Sequence, residues 1–393
     1  MSIQLFAARP AARGARCFFA ALAVAAALPG QAQTSNAPTT PTTPTTPIVI
    51  HHIGPLTGVL AASNKEALDA AQMFLDNFNK RGGVQGRPVT LERVDDGQDP
   101  RRAKALFDEL LAQKKALAVL LPRTTPSTEA LMPAAAAQGV PIVAPQSGAA
   151  FVNDPPRREV FPMRAGYRLE AVRAIQQQHS IGVRSFGLLL ADDMFGRDTL
   201  VGIDGVMKAL KLEPVVVSRI DNRKLDVTDA VNAALAKRPE VVLLVVSSKA
   251  AAEYIKSYRK AGGRATFISL SNTSNKDYID ALGDQVRGAI VMQVMPSPFS
   301  GATALARDYA AAAKARKLPL SYAGQFGFAA AKLLTLGLAK AGREATSATL
   351  TQALESLGDV DLGGYRVRYG PGDRTGSNFV ESTIITTDGR FRR

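Results

Sequence analysis

The chain has 393 residues and a formal charge of +14, with 48 Lys and Arg against 34 Asp and Glu, and a single cysteine. A basic excess of this kind can serve nucleic-acid or membrane binding. Here the basic residues are scattered, as in Arg101-Arg102, Arg157-Arg158, Lys211 and Arg259-Lys260, without aromatic interleaving, a helix-turn-helix signature or zinc spacing. That excludes a nucleic-acid module of the usual kinds, and one cysteine leaves no internal disulfide, so stability must come from the core.

Residues 1–32 read as a secretory signal. Arg9, Arg13 and Arg16 form a basic n-region, Cys17 to Leu28 a short apolar h-region, and Gly30-Gln31-Ala32 a small-residue cleavage site. The apolar run is shorter than the roughly 20 residues a bilayer span needs. Cys17 precedes that run, whereas a lipidated cysteine follows it. Residues 33–47, dominated by a Thr/Pro repeat, have no apolar face to bury and are expected to be a disordered spacer.

The folded part begins with a buried strand, Ile48 to Ile53, which breaks at Gly54-Pro55. A helix from about Asn64 to Lys80 carries Leu68, Ala71, Leu75 and Phe78 on one face, and Gly82-Gly83 stops it. Pro88 to Val94 is the next strand, closing a βαβ unit with a right-handed crossover. It ends in Asp95-Asp96-Gly97 and Asp99-Pro100, a turn at the strand's C-terminal end, where ligands of open α/β sheets bind. The alternation continues through a helix from Arg101 to Lys114, a strand from Ala116 to Leu121, and the polar turn Pro122 to Ser127. An alanine-rich helix then leads to Gly139, and the strand Val140 to Ala144 ends at Pro145-Gln146-Ser147-Gly148.

A second series repeats the plan. Its strands are Ser185 to Leu190, Pro214 to Ser218, Glu240 to Val246 and Ala265 to Leu270, with helices between them. Fully apolar strands covered by helices on both sides mark parallel, doubly wound sheets. Beyond Gly288 to Val294 follow helices at about Thr303 to Arg316, Tyr322 to Ala341 and Ser347 to Leu357. Two β segments, Tyr365 to Tyr369 and Phe379 to Thr386, end the chain.

The succession strand, Gly54-Pro55-Leu56-Thr57-Gly58, helix, Gly82-Gly83-x-x-Gly86, strand, Asp95-Asp96-x-x-Asp99-Pro100 resembles the opening of the type I periplasmic binding proteins. It is most similar to the leucine/isoleucine/valine-binding family that serves ABC importers. The resemblance implies an α/β fold of two doubly wound parallel-sheet lobes joined by three hinge crossings, near Ala165, Pro296 and Gly363. Lobe one would comprise 48–165 and 297–362, and lobe two 166–296 and 363–393. It also implies a periplasmic location, a small organic carboxylate or amino-acid-like ligand, an ABC permease as partner, no cofactor, and a monomer.

Enzyme signals are poor. His51 and His52 are adjacent in a strand and point to opposite faces, so they cannot form one metal site alone, and His179 sits at a helix end. No nucleophile elbow or phosphate-binding loop is present. Asp95-Asp96 and Asp192-Asp193 are expected to cap turns rather than to act as paired catalytic carboxylates. Two other readings stay open: a ligand sensor of the same fold that reports to a membrane receptor, and a hydrolase or lyase using Asp192 or Asp193.

Binding signals are better. Four turns at the strands' C-terminal edges carry small polar residues: Arg123 to Ser127, Gln146 to Ala149, Met194 to Gly196, and Ser271 to Asn275. Helix N-termini at such edges present free amides and partial positive charge, which suits a carboxylate. Thr125 and the amides near Ser147 and Gly148 are expected to hold the anion, with Arg123 adding a bidentate pair if it turns inward. The resemblance matches Thr125 to the family's hydroxyl for the ligand carboxylate and Gly148 to its second hydroxyl position, where Ser147 is the expected substitute. It places Phe195 at a lobe-two aromatic position and Ser247 where the family has a tyrosine. Ser271 stands at the acid that receives the ligand's α-ammonium. A neutral serine cannot offset a buried ammonium, so the expected ligand is a small carboxylate other than an ordinary α-amino acid. Asp277 is the nearest acid to that position.

Overall fold

The structure, a computed structural model, describes residues 46–393. The expected signal (1–32) and nearly all of the expected spacer (33–47) lie outside the described residues.

The first series comprises β1 (Ile48–Gly54), α1 (Ala61–Lys80), β2 (Val89–Asp95), α2 (Pro100–Ala112), β3 (Val119–Leu120), α3 (Thr125–Gln138), β4 (Ile142–Val143) and β5 (Val160–Phe161). Its strands form a wholly parallel sheet in the order β2-β1-β3-β4-β5. The helix starts follow from local chemistry. Asp99 caps α2 by accepting from Arg101 N at 2.8 Å, with Pro100 in the first turn, and Thr124 caps α3 by accepting from Ser127 N at 3.1 Å.

The second series comprises α4 (Tyr167–Ser180), β6 (Phe186–Ala191), α5 (Met194–Ala209), β7 (Val216–Ile220), α6 (Thr228–Lys237), β8 (Val241–Val245), α7 (Ser248–Lys260), β9 (Thr266–Ser269), α8 (Lys276–Leu282) and β10 (Ile290–Gln293). Its strand order, β7-β6-β8-β9-β10, repeats that of the first sheet. The switch in winding direction therefore falls between β1 and β3 in one lobe and between β6 and β8 in the other, where open α/β sheets bind ligands. Strands β6 and β8 are buried along their whole lengths, the condition for a sheet covered on both faces.

The remaining chain adds α9 (Ala304–Ala315), α10 (Tyr322–Ala341), α11 (Ser347–Glu355), β11 (Asp359–Asp361), β12 (Arg366–Gly370), β13 (Asp373–Gly376), β14 (Glu381–Ile385) and β15 (Phe391–Arg392). Helix α10 packs along α1 of the first lobe. The approach is so close that a Cβ on Gly327 would lie 1.9 Å from Ala67 O, which leaves glycine as the residue that fits. Strand β14 joins the second sheet antiparallel to β10 and carries β15 at its edge.

The chain passes between the lobes three times: after β5, after β10, and between β13 and β14. The last passage differs from the expected one near Gly363. Gly363 and Gly364 instead belong to a hairpin turn, their amides held by Asp361 Oδ1, and β11 and β12 pair antiparallel on either side of it. Tyr369 Oη donates to Pro162 O at 2.8 Å, and Arg374 reaches Arg158 O at 3.1 Å and Glu355 at 2.9 Å. These bonds tie residues 359–376 to the first lobe, so the crossing comes after Gly376.

Candidate functional site

The strand ends of both lobes face one open cleft of about 540 Å³. From the first lobe it receives Arg123, Thr124 and Thr125, at the start of α3. From the second it receives Asp192 to Phe195, before and within α5, together with Asn222, Ser247 and Asn272. Tyr167, the first residue of α4, packs against Phe195 with ring centroids 4.5 Å apart and planes tilted by 54°, and the two make an aromatic wall. Behind the cleft, toward the hinge, lies a smaller chamber of about 40 Å³. Arg123 and Asn272 line both spaces; Gln146, Arg164, Ser271 and Gln293 line the inner one.

Arg123 dominates the electrostatics. One of its amino groups lies 3.3 Å from Ser63 Oγ, its buried Nε has no partner, and no carboxylate among the described residues forms an ion pair with it. Burial pulls its guanidinium below the usual arginine range, helped by the nearby Arg164, while Tyr167, Glu66 and Asp277 act the other way. The residue as a whole is half-buried, and a partly desolvated cation without a counter-ion carries a cost. The cost is recovered when an anion arrives, and a guanidinium offers a carboxylate two parallel N–H donors.

The second lobe caps its helix ends as the first does with Asp99 and Thr124. Asp193 Oδ1 accepts from Phe195 N at 2.8 Å and Gly196 N at 3.3 Å, so the N-terminus of α5 already carries a carboxylate. Burial raises the Asp193 carboxyl, and those amides counter the shift. Ser247 Oγ accepts from Ala250 N at the start of α7. The expectation that helix ends of both lobes offer free amides to a ligand is corrected here: side-chain caps already take amides at the starts of α2, α3, α5 and α7. Helix α5 also starts at Met194, within the stretch read as a turn, because Asp193 caps it there.

The hinge holds the residues that sequence reasoning missed. Arg164 and Glu170, both buried, form an ion pair. Arg164 also donates to Gln146 O at 2.9 Å and to Ser271 Oγ at 2.8 Å. Glu170 accepts from Ser271 N at 2.7 Å and from Ser271 Oγ at 3.1 Å. Burial raises the Glu170 carboxyl, with Arg164 and Ser271 opposing the shift. The structure thus brings an acid to Ser271 after all, from a helix rather than from the Ser271 loop. Both of its oxygens are already committed. Asp277 lines neither space.

Six of the eight expected site residues, Arg123, Thr125, Gln146, Phe195, Ser247 and Ser271, line the cleft or the chamber. Ser147 and Gly148 stand behind them. Ser147 Oγ lies 2.9 Å from Thr125 Oγ1 and orients that hydroxyl, while a Cβ on Gly148 would meet Tyr167 N at 3.0 Å and the Arg164 guanidinium at 3.1 Å. Neither residue lines the cleft or the chamber. The nearest sequence signal for the missed pair was the placement of Arg164 and Glu170 on either side of the expected crossing at Ala165.

Two lobes of identical strand order, joined by three crossings around a cleft at both switch points, define a hinged binding protein. A family-wide sequence model described as periplasmic binding protein matches residues 47–383. A Leu/Ile/Val-binding protein of Rhizobium johnstonii is 24% identical over 348 residues, covering 84% of this chain and 90% of that protein. Among solved structures, a substrate-binding periplasmic protein from Ralstonia solanacearum superposes with a TM-score of 0.82 at 28% identity, over 88% of this chain and 99% of that one. A possible leucine/isoleucine/valine-binding protein from Rhodopirellula baltica gives 0.84 at 22% identity, over 89% and 97%. The chain belongs to the periplasmic binding protein family, type I, of the leucine/isoleucine/valine-binding group, and its role is solute binding.

Proposed function

We propose that the protein captures a small organic carboxylate without an α-ammonium in the interlobe cleft, in the periplasm, and hands it as a monomer to an ABC permease. The observation that carries this reading is the asymmetry of charge at the site. Arg123 is a half-buried cation with a buried, unpartnered Nε and no ion-pair partner among the described residues, whereas the acid nearest Ser271, Glu170, is spent on Arg164 and on Ser271 itself. A ligand ammonium placed at Ser271 would lie near the unpaired Arg123, and the acid beside it, Glu170, is already committed; the carboxylates that line the cleft, Asp192 and Asp221 among them, stand at its second-lobe edge. The relative's name points to branched-chain amino acids; the charge balance here favours their deaminated counterparts in size and shape. Thr125 and Arg123 would hold the carboxylate, and Tyr167 and Phe195 would cover the apolar body. Lobe closure would exclude water and present both lobes to the permease. The basic, apolar and small-residue succession of residues 1–32 supports export.

Native mass spectrometry of the purified protein, followed by denaturing extraction, tests the reading. A co-purified carboxylic acid lacking an α-amine supports it. A co-purified α-amino acid keeps the family and overturns the proposed ligand.

A further inference from the structure

The inner chamber carries a pattern of its own. Three side-chain amides line it, and in each the protein has fixed which end faces a partner. Gln146 Nε2 donates to Asn64 Oδ1 at 3.0 Å and to Leu121 O at 3.1 Å, which spends both of its hydrogens. Asn64 cannot turn over, because its Nδ2 faces Pro55 O at 3.0 Å and His52 Nε2 at 2.9 Å. His52 in turn is fixed by Leu120 O, 3.2 Å from Nδ1, so Nδ1 holds the hydrogen and Nε2 is the acceptor. Burial keeps this imidazole neutral, down to about 4. The relay ends by leaving Gln146 Oε1 as an acceptor.

The other two amides are locked as firmly. Asn272 Nδ2 donates to Val246 O at 2.8 Å, and its buried Oδ1 has no partner. Gln293 is fully buried. Its Nε2 donates to Thr383 Oγ1 at 2.9 Å, and that hydroxyl is committed to Val291 O at 3.0 Å, so it can only accept from Gln293. Gln293 Oε1 is left buried without a partner. Such oxygens carry a desolvation cost until a donor reaches them.

We infer that the inner chamber is a subsite for an uncharged hydrogen-bond donor, a hydroxyl group in the first instance, on the far end of the carboxylate held at Arg123. This deepens the ligand proposed above and rests on it. The chamber's 40 Å³ suits a group of a few heavy atoms, since one water takes on the order of 10–15 Å³. The donor is uncharged because Arg123, which has no ion-pair partner among the described residues, also lines the chamber and would repel an ammonium, while the charge of Arg164 is taken up by Glu170. The ligand class is therefore a hydroxycarboxylate that spans cleft and chamber, its acid toward Arg123 and its hydroxyl among Gln146, Asn272 and Gln293.

The experiment is isothermal titration of the mature protein with two matched pairs, para-hydroxybenzoate against benzoate and γ-hydroxybutyrate against butyrate, with γ-aminobutyrate as the charged analogue. The hydroxylated member of at least one pair is expected to bind about tenfold tighter or more, since a site built to hydrogen-bond a hydroxyl leaves its acceptors unmet by the analogue lacking it. In Gln293→Met, and independently in the half-buried Asn272→Leu, that ratio should fall toward one. Equal affinity within both pairs, meaning that the chamber holds water only, overturns the subsite and leaves the carboxylate reading standing. A ratio retained in both variants, or tighter binding of γ-aminobutyrate than of γ-hydroxybutyrate, also overturns it. No binding by any of these acids counts against both readings.

Discussion

The two lobes share a strand order and differ in what their edges offer. In the second lobe, the edge presents an aromatic surface at Phe195 together with the carboxylates Asp192 and Asp221, while Asp193 is spent on capping helix α5. In the first lobe, the corresponding edge presents Arg123, a guanidinium without a counter-ion. One fold used twice has produced an edge with an unpaired guanidinium and an edge with an aromatic surface and carboxylates. Fold symmetry sets where a ligand sits, and the unsatisfied groups decide its charge.

The contrast is anchored at the hinge, and it breaks most severely there. Glu170→Gln leaves Arg164 buried without its counter-charge, so unfolding stability should fall by about 3–5 kcal/mol, measured by urea denaturation. A loss under about 1 kcal/mol would mean that Arg164 finds water or another partner. Next in size is the first lobe's charge. Arg123→Gln should weaken carboxylate binding by roughly 100-fold in titration calorimetry, as for truncating one partner of a buried charge pair. The same variant should leave the ligand-free melting temperature unchanged or raise it, because it removes a half-buried cation that has no ion-pair partner among the described residues.

Acid sharpens the first-lobe side through His52. Its pKa of about 4 in the folded state lies below the ordinary 6.5, so burial favours the neutral ring and the unfolded chain takes up the proton more readily. The stability this represents is fully present above pH 6.5 and is lost as pH falls toward 4. It amounts to about 3 kcal/mol over that window. Urea midpoints at pH 7 and pH 5 should therefore differ by more in the wild type than in His52→Gln. The smallest effects belong to the second lobe and to the hydroxyl beside Arg123: Phe195→Ala should weaken binding about tenfold, and Thr125→Ala about fivefold, each without unfolding the protein. Unchanged affinity in both would remove the cleft as the ligand site.

Much of the fold was legible because buried parallel strands and amphipathic helices write themselves locally. Helix α10 spans Tyr322–Ala341, the range its apolar pattern predicts. The apolar runs 116–121 and 140–144 mark burial correctly but overstate pairing, since β3 and β4 are two residues long. An apolar run reports that a segment is inside, and ladder length depends on neighbours. The third crossing was misplaced because a Gly-Gly pair reads equally well as a hinge or as a hairpin turn, and Asp361 decides for the turn. At the site, the loop residues were visible as small polar groups at strand ends. The link between Glu170 and Ser271 spans 101 positions, and no local pattern carries it. The relay from His52 through Asn64 to Gln146 was hidden for the same reason: each residue looks ordinary until the fold makes it a neighbour.

The central claim is that the cleft binds a carboxylate and rejects an α-ammonium. Titration calorimetry of the wild-type protein with leucine and with isocaproate, which is leucine without its amine, tests it most directly. The charge balance at Arg123, Arg164 and Glu170 predicts heat and a measurable Kd for isocaproate and none for leucine at the same concentrations. Tight leucine binding with silence from isocaproate would contradict the claim and show that Glu170 or another acid is free to receive the amine.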